Sequence, residues 1–106
     1  MVLQGARIER AFHALGDPTR RAILRTLGSG PTSVGRLSAP LGISVTAVSQ
    51  HLHVLEAGGF VVTKKVGRVR TCTLDARGFT FVEQWAREHR SLWERRLERL
   101  GNLLDE

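Results

Sequence analysis

Residues 44 to 55 read Ser-Val-Thr-Ala-Val-Ser-Gln-His-Leu-His-Val-Leu and predict an amphipathic helix. Ser44 is a good N-cap, because its hydroxyl can accept from the free backbone N–H groups of the first turn. Apolar side chains then recur at spacings of three and four, which puts them on one helical face. These apolar side chains are Val45, Val48, Leu52 and Leu55.

The rest of this helix start is small or hydrogen-bonding, and none of it is acidic. It consists of Thr46, Ala47, Ser49, Gln50 and His51. Such a face suits the major groove of DNA, because glutamine can bond adenine in a bidentate way and serine or threonine can bond several bases. An ordinary surface helix with a polar face is the alternative, so the neighbouring segments decide between the two.

Two helices are predicted near the start of the chain. The first covers about residues 4–15 and carries apolar side chains at helical spacing. The second begins at Asp17-Pro18, a favourable N-cap followed by proline at the first helical position, and ends at Gly28. Its arginines are expected on the solvent side, and they are Arg20, Arg21 and Arg25.

A short third helix is predicted between this pair and the polar-faced helix. It covers Val34 to Ala39 after a possible cap at Ser33, and residues 40–43 form the turn that follows. The segment of about residues 34–57 therefore has the layout of a helix-turn-helix. Gly58-Gly59 closes it, because glycine tolerates the left-handed position after a helix.

A basic β-hairpin is predicted directly after the helix-turn-helix, over about residues 60–74, with its turn at Val66-Gly67. Cations cluster toward its tip, and they are Lys64, Lys65, Arg68 and Arg70. Such a cluster favours an anion nearby, which the DNA backbone supplies to a wing that lies along it. A charged edge that blocks strand aggregation is the alternative. Its place after the polar-faced helix favours the wing.

The last predicted helix, about residues 77–104, carries an apolar stripe at alternating spacings of four and three, as in a short coiled coil. Because the chain is too small to cover such a helix fully, we expect a dimer interface built with the first helix. Packing onto the chain's own core is the alternative. The expected interface residues are Ile8, Phe12, Trp85, Trp93, Leu97, Leu100 and Leu104.

Composition is consistent with one small DNA-binding domain over residues 1–106. The chain has 106 residues, a formal net charge of +6 and 42% hydrophobic residues. A basic balance favours a polyanionic partner, with nucleic acid ahead of a membrane surface. A single cysteine, the lack of a signal-peptide layout and the lack of a membrane-spanning run predict a cytoplasmic protein.

With the order helix, helix, helix-turn-helix, basic hairpin and long helix in view, the chain resembles the ArsR/SmtB family of bacterial winged-helix repressors. Three segments carry the likeness: ALGDPTRRAIL at 14–24, AVSQHLHVLEAG at 47–58 and Gly67-Arg68. The resemblance implies a homodimer that binds operator DNA and leaves it when an inducer binds. It also implies that residues 44–51 face the groove, through Ser44, Thr46, Ala47, Ser49, Gln50 and His51, and that Lys64, Arg68 and Arg70 form the wing.

The sequence lacks the metal-binding patterns found in many members of that family. Residues 34–39 carry no cysteine, and the last helix offers His89 without a second histidine. Transition-metal sites need several such ligands converging at fixed geometry. We therefore expect no metal and no cofactor, and a small-molecule inducer is left open. Cys72 is expected to be buried and inert, with a redox role as the alternative.

No catalytic constellation is present, because the sequence has neither a nucleophile-elbow pattern nor a phosphate-cradling glycine loop. An enzyme is therefore not expected. The predicted fold is mainly α with a small β-hairpin, a winged helix-turn-helix with a helical dimer interface. The predicted function is sequence-specific binding of double-stranded DNA by a homodimeric transcriptional repressor. The alternative is a basic dimerisation module that acts through a protein partner, with incidental affinity for DNA.

Overall fold

The computed structural model describes the backbone of residues 2–104 and the side chains of residues 5–103. This part of the chain contains five helices and a three-stranded antiparallel sheet. The predicted class, mainly helical with a small sheet and a winged helix-turn-helix, is confirmed. The elements are α1 Val2–Leu15, α2 Pro18–Leu27, β1 Thr32–Ser33, α3 Val34–Leu41, α4 Val45–Ala57, β2 Val61–Val66, β3 Val69–Leu74 and α5 Ala76–Leu104.

Side chains cap α2, α4 and α5 as predicted, whereas Ser33, the expected cap of α3, makes no side-chain capping hydrogen bond. Oδ2 of Asp17 accepts from the backbone N–H of Arg20 at 3.0 Å, and Pro18 is the first residue of α2, as predicted. The predicted turn at residues 40–43 is wrong at its start, because Pro40 lies inside α3. Gly42 ends that helix in the left-handed conformation, with φ of 66°. Because proline lacks a backbone N–H, the last turn of this helix has one hydrogen bond fewer.

The sheet has the strand order β1-β3-β2. The predicted hairpin is present, but its turn is Gly67-Arg68 rather than Val66-Gly67, with Val66 paired to Val69. The sequence did not predict β1, a two-residue strand in which Thr32 pairs with Cys72. Two residues are too few to show an alternating pattern, so the third strand depends on where α2 and α3 place this link.

One hydrophobic core is shared by the four helices α1, α2, α3 and α4 and by the base of the sheet. Its buried hydrophobic residues are Ile8, Ala11, Ala14, Ile23, Leu27, Val34, Leu37, Val48, Leu52, Leu55, Phe60, Val61 and Cys72. The sequence pattern also placed Val45 on this face, but Val45 is 51% exposed. It is the first residue of α4 and lies beyond the edge of the core.

The first turns of α5 close the core from the side of the α4–β2 loop. Oδ1 of Asp75 accepts from the backbone N–H of Arg77 at 3.0 Å, so Asp75 caps this helix as predicted. Phe79 packs edge-on against Phe60, with ring centroids 4.9 Å apart. From residue 90 to residue 100 every side chain of α5 is exposed. Among the described residues, no helix combines the length and the hydropathy needed to cross a bilayer.

Candidate nucleic-acid interface

Helix α4 begins on an ordered cap and presents part of the predicted polar face to solvent. The hydroxyl of Ser44 accepts from the backbone N–H of Ala47 at 3.1 Å. Ser44, Thr46 and Gln50 are exposed, whereas Ala47 and Ser49 are half-buried. Because Val48, Leu52 and Leu55 hold the opposite face in the core, the direction of this polar face is set by packing.

His51 is positioned differently from the exposed members of this face. Its ring is half-buried, and Nδ1 lies 3.4 Å from Nη1 of Arg20 and 4.0 Å from Oδ2 of Asp17. The imidazole therefore touches the start of α2, where it connects α4 to the α1–α2 junction. This contact makes His51 a candidate for orienting α4 as well as for meeting DNA.

Arg20 was predicted on the solvent side of α2, and this expectation is wrong. Only 9% of the residue is exposed. Its Nε donates to the carbonyl of Ala14 at 2.8 Å, and its Nη2 donates to the carbonyl of His13 at 2.6 Å. The last carbonyls of a helix lack partners within the helix, and a guanidinium satisfies two of them here. The sequence showed the capping Asp17, but burial of Arg20 depends on how α1 and α2 meet.

The carboxyl group of Asp17 is the acid of this cluster. The hydrogen bond from the backbone N–H of Arg20 is the largest influence on it and lowers the pKa of Asp17 below its usual range. The positive charge of Arg20 acts in the same direction. Asp17 is therefore ionised at neutral pH, and it balances a cation that lies directly behind the candidate recognition helix.

The wing, which is the hairpin of β2 and β3, exposes its four cations. Lys64, Lys65, Arg68 and Arg70 all have exposed side chains. None of the ion pairs found among residues 5–103 involves one of them. No described carboxylate therefore balances these four charges, and they are available to bind an external anion.

The register of the hairpin puts two of these cations next to each other. Lys65 pairs directly with Arg70, two residues closer to the tip than the pair of Thr63 with the buried Cys72. Residues two apart lie on the same face of a strand, so Lys65 and Arg70 extend the inward face of the sheet beyond the core. Like charges directly opposite are destabilising, which favours a bound polyanion at this position.

Two grooves flank α4, and both are lined by Arg70. The larger has a volume of about 460 Å³ and lies between α4 and the base of the wing. The smaller, of about 380 Å³, lies between the starts of α3 and α4 and the wing tip. The larger groove is lined by Thr46, Ser49, Gln50, Leu52, His53, Glu56, Thr63 and Arg70. The predicted polar face of α4 and the wing therefore form one continuous surface.

Glu56 contributes a carboxylate to this otherwise basic surface, and the sequence analysis assigned it no role. Its Oε1 accepts from the hydroxyl of Thr63 at 3.1 Å and from the backbone N–H of Thr63 at 3.3 Å. Because Glu56 lies at the end of α4 and Thr63 lies in β2, this pair links α4 to the wing. No sequence pattern pairs two residues seven positions apart across a loop.

The predicted interface residues of α1 and α5 fall into three groups. Ile8 is buried in the core of its own chain, with 8% exposed. Phe12 is 43% exposed and meets the half-buried Trp85 edge-on, with ring centroids 5.1 Å apart. Trp93, Leu97 and Leu100 are each more than half exposed. The side chain of Leu104 lies outside the described residues.

The residues weighed for metal or redox chemistry are placed as follows. Cys72 is fully buried, and burial raises the pKa of its thiol. Nδ1 of His89 lies 2.8 Å from the carbonyl of Trp85, and the two rings stack with centroids 4.1 Å apart. Among the side chains that the structure describes, no group of three or more His, Cys, Asp or Glu is arranged to hold a metal ion.

Comparison with known proteins places this surface in a family context. Residues 15–64 match the family described as a helix-turn-helix domain. HTH-type transcriptional regulator Rv2034 of Mycobacterium tuberculosis is 38% identical over 97 residues, which is 92% of this chain and 88% of the relative. Transcriptional repressor SdpR of Bacillus subtilis is 31% identical over 61 residues, which is 58% of this chain and 68% of that protein.

Solved structures agree with these relatives. A crystal structure of an ArsR family transcriptional regulator is 42% identical, with a TM-score of 0.79 over 85% of this chain and 93% of the other. An ArsR-like transcriptional regulator from Rhodococcus sp. RHA1 has a TM-score of 0.87 at 30% identity, over 99% and 96%. The homodimeric winged helix-turn-helix DNA-binding domain of Mb0332 from Mycobacterium bovis has a TM-score of 0.64 at 28% identity, over 79% and 82%.

Proposed function

The chain belongs to the ArsR family of winged helix-turn-helix transcriptional regulators, and from this premise we propose that it is a homodimeric repressor of promoters that carry its operator. Each α4 enters one major groove of double-stranded DNA, and each wing lies along the adjacent phosphates. One observation carries this proposal. The polar face of α4 lines one groove together with Arg70 of the wing, and the other three cations of the wing are exposed on the same hairpin.

Base recognition belongs to α4 in this proposal. Gln50 and Thr46 are exposed on its outer face and reach base edges, while Ser44 lies at the cap and Ser49 lies beside the wing. Ala47 permits close approach because its side chain is only a methyl group. His51, tied to Arg20, holds the angle of α4 and meets DNA only at the edge of the contact.

Backbone binding belongs to the wing. Lys64, Arg68 and Arg70 bind phosphate oxygens, and Lys65 adds charge next to Arg70. Contacts to phosphate position a protein on the duplex and make its affinity depend on salt. They do not read the sequence, so the preference for one operator comes from α4.

Dimerisation through α5 sets the spacing of the two recognition helices. Trp93, Leu97 and Leu100 form an exposed apolar stripe beyond the part of α5 that packs on its own core, and a second copy of the helix would cover it. The structural relative from Mycobacterium bovis is homodimeric. A dimer of this kind binds two half-sites whose centres lie one helical turn of DNA apart, roughly 34–36 Å, or a multiple of that distance.

Repression, rather than activation, is inferred from the relative SdpR, which is a transcriptional repressor. We further infer that the protein acts by binding and not by catalysis, in the cytoplasm where bacterial DNA lies. A dimer that covers a promoter needs no further partner to block transcription.

The first test is fluorescence anisotropy with the DNA upstream of the protein's own gene and with a scrambled duplex, over a series of salt concentrations. A specific regulator should prefer the upstream DNA by roughly a thousandfold or more. Gln50→Ala should weaken specific binding by about 1–3 kcal/mol at one base position. Gln84→Ala, which changes an exposed glutamine on α5, is the matched control and should bind as the wild type does.

The exposed stripe of α5 also favours the second candidate function, a basic dimerisation module that acts through a protein partner. Its signature in the same experiment is equal affinity for both duplexes with a steep dependence on salt. An unchanged affinity and sequence preference in Gln50→Ala would remove Gln50 from the residues that read bases.

A further inference from the structure

Val45 is an aliphatic side chain that the structure leaves in solvent at the start of α4. The other members of its apolar stripe, Val48, Leu52 and Leu55, are between 0% and 3% exposed, whereas Val45 is 51% exposed. Single exposed aliphatic residues are common on protein surfaces and need no explanation by themselves. The surroundings of Val45 decide whether it does more.

Those surroundings are a basic groove. Val45 and Ser49 of α4 line the groove of about 380 Å³ together with Arg68, Val69 and Arg70 of the wing tip. Val69 is also 51% exposed. The groove therefore combines cations suited to phosphate with an apolar wall, and phosphate binding alone gives no reason for that wall.

The backbone holds Val45 in a defined position. The Ser44 cap orders the first turn, through the hydrogen bond from Ala47, and the carbonyl of Ser44 accepts from Val48 at 3.0 Å. A valine in a helix has one strongly preferred side-chain rotamer, so its methyl groups are already fixed before binding. In helix-turn-helix proteins the first residues of the recognition helix are those that contact base edges.

We propose that Val45 is a specificity-determining residue that packs against the C5-methyl group of a thymine in the major groove. The inference rests on the proposed function, since it needs α4 to lie in that groove. Thymine is the base that presents a methyl group there, and apolar side chains read it by contact. Val45 thus adds an apolar reading position to a face whose other members read by hydrogen bonds.

The experiment removes the proposed apolar contact first from the DNA, by replacing thymine, and then from the protein, by replacing Val45. The wild-type protein first selects duplexes from a randomised library, and each thymine of the best duplex is then replaced by uracil, which lacks only the methyl group. For wild type, one uracil replacement in a half-site should raise Kd about fourfold, as expected for one buried methyl group. For Val45→Ala, that duplex and its uracil form should bind equally.

Two further variants control for other effects of the substitution. Val45→Ile keeps an apolar contact and should retain the preference for thymine over uracil. Val66→Ala changes an exposed valine at the wing tip, 71% exposed, and should also retain it. Thermal unfolding of all variants should match wild type, because these side chains contribute little to the core.

Three results would overturn the proposal. One is a wild-type protein that is indifferent to uracil at every thymine. Another is a Val45→Ala variant that binds both duplexes more weakly but keeps the wild-type ratio of Kd between the uracil and thymine duplexes. A library from which no sequence is enriched would refute the proposed DNA-reading function itself, and with it the role of Val45.

Discussion

At the scale of single residues, the contact between Arg20 and His51 links the start of α2 to the recognition helix. A guanidinium has only donors, so Nδ1 of His51 is the acceptor in this 3.4 Å contact. Arg20 is in turn held by two carbonyls at the end of α1. The orientation of α4 therefore depends on a buried cation outside the helix-turn-helix.

Asp17 belongs to the same cluster, and it makes stability depend on pH. The backbone N–H of Arg20 lowers the pKa of Asp17 in the folded protein. A lowered folded pKa gives stability that is present above the ordinary value of about 3.9 and is lost as the pH falls through the folded value. We expect the free energy of unfolding of Asp17→Asn to depend less on pH than that of wild type in this acid range.

Urea unfolding at a series of pH values from neutral to acid measures this difference. Asp75, whose pKa is lowered by the hydrogen bond from the side chain of Arg77, should keep part of the acid dependence in Asp17→Asn. Glu98→Gln, which removes an exposed carboxyl group of α5, is the control and should follow the wild-type curve. Identical curves for wild type and Asp17→Asn would show that Asp17 does not contribute.

At the scale of elements, the loop after α4 and the start of α5 meet at two glycines. Gly59 is left-handed, with φ of 81°, and its carbonyl accepts from the backbone N–H of Gly78 at 2.8 Å. A Cβ built on Gly78 would lie 2.7 Å from that carbonyl oxygen. This crossing fixes α5 against the base of the wing and leaves no room for a side chain.

Gly78→Ala should therefore destabilise the fold, by about 1–3 kcal/mol as for overpacking elsewhere. The obstructing atoms are backbone and cannot rotate away. Chemical denaturation measures the change. Gly35→Ala is the matched control, because Gly35 lies in α3 with nothing within 4 Å of its Cβ position and should gain up to about 1 kcal/mol of helix propensity. Equal stabilities for the two variants would contradict this account of the crossing.

At the scale of the whole molecule, α5 makes the described part of the chain elongated. Its 29 residues span about 43 Å at 1.5 Å per residue, within overall dimensions of 67 × 28 × 21 Å. Only its first turns contact the core, and the later apolar side chains face solvent. A homodimer is the assembly that we propose to cover them.

Leu97→Glu should convert the proposed dimer to a monomer, because it places a charge in the middle of the exposed stripe, where Leu97 is 65% exposed. Sedimentation equilibrium at micromolar protein concentration measures the mass. Val66→Glu, at the wing tip where Val66 is 71% exposed, is the control and should stay dimeric. A monomeric wild type would contradict the operator model, and a dimeric Leu97→Glu would place the interface elsewhere.

Local patterns predicted much of this architecture. The helical spacing of apolar residues, the caps at Ser44, Asp17 and Asp75, and the β-branched run of the hairpin each depend on residues close in sequence. The exposed cations of the wing follow from the same local reading. The predicted boundaries of elements were wrong by one or a few residues at turns. Pro40 continues α3, and Gly67-Arg68 forms the tip of the hairpin.

The sequence by itself determined the order of the elements, the polar face of α4 and the basic wing, because each is encoded by neighbours along the chain. The tertiary structure alone decided the burial of Arg20, the exposure of Val45 and the pairing of Glu56 with Thr63. These features arise where elements distant in sequence meet, and the spacing of residues within one element carries no information about which partner it meets. Burial and hydrogen bonding across such junctions depend on packing, which sets the surface that α4 presents.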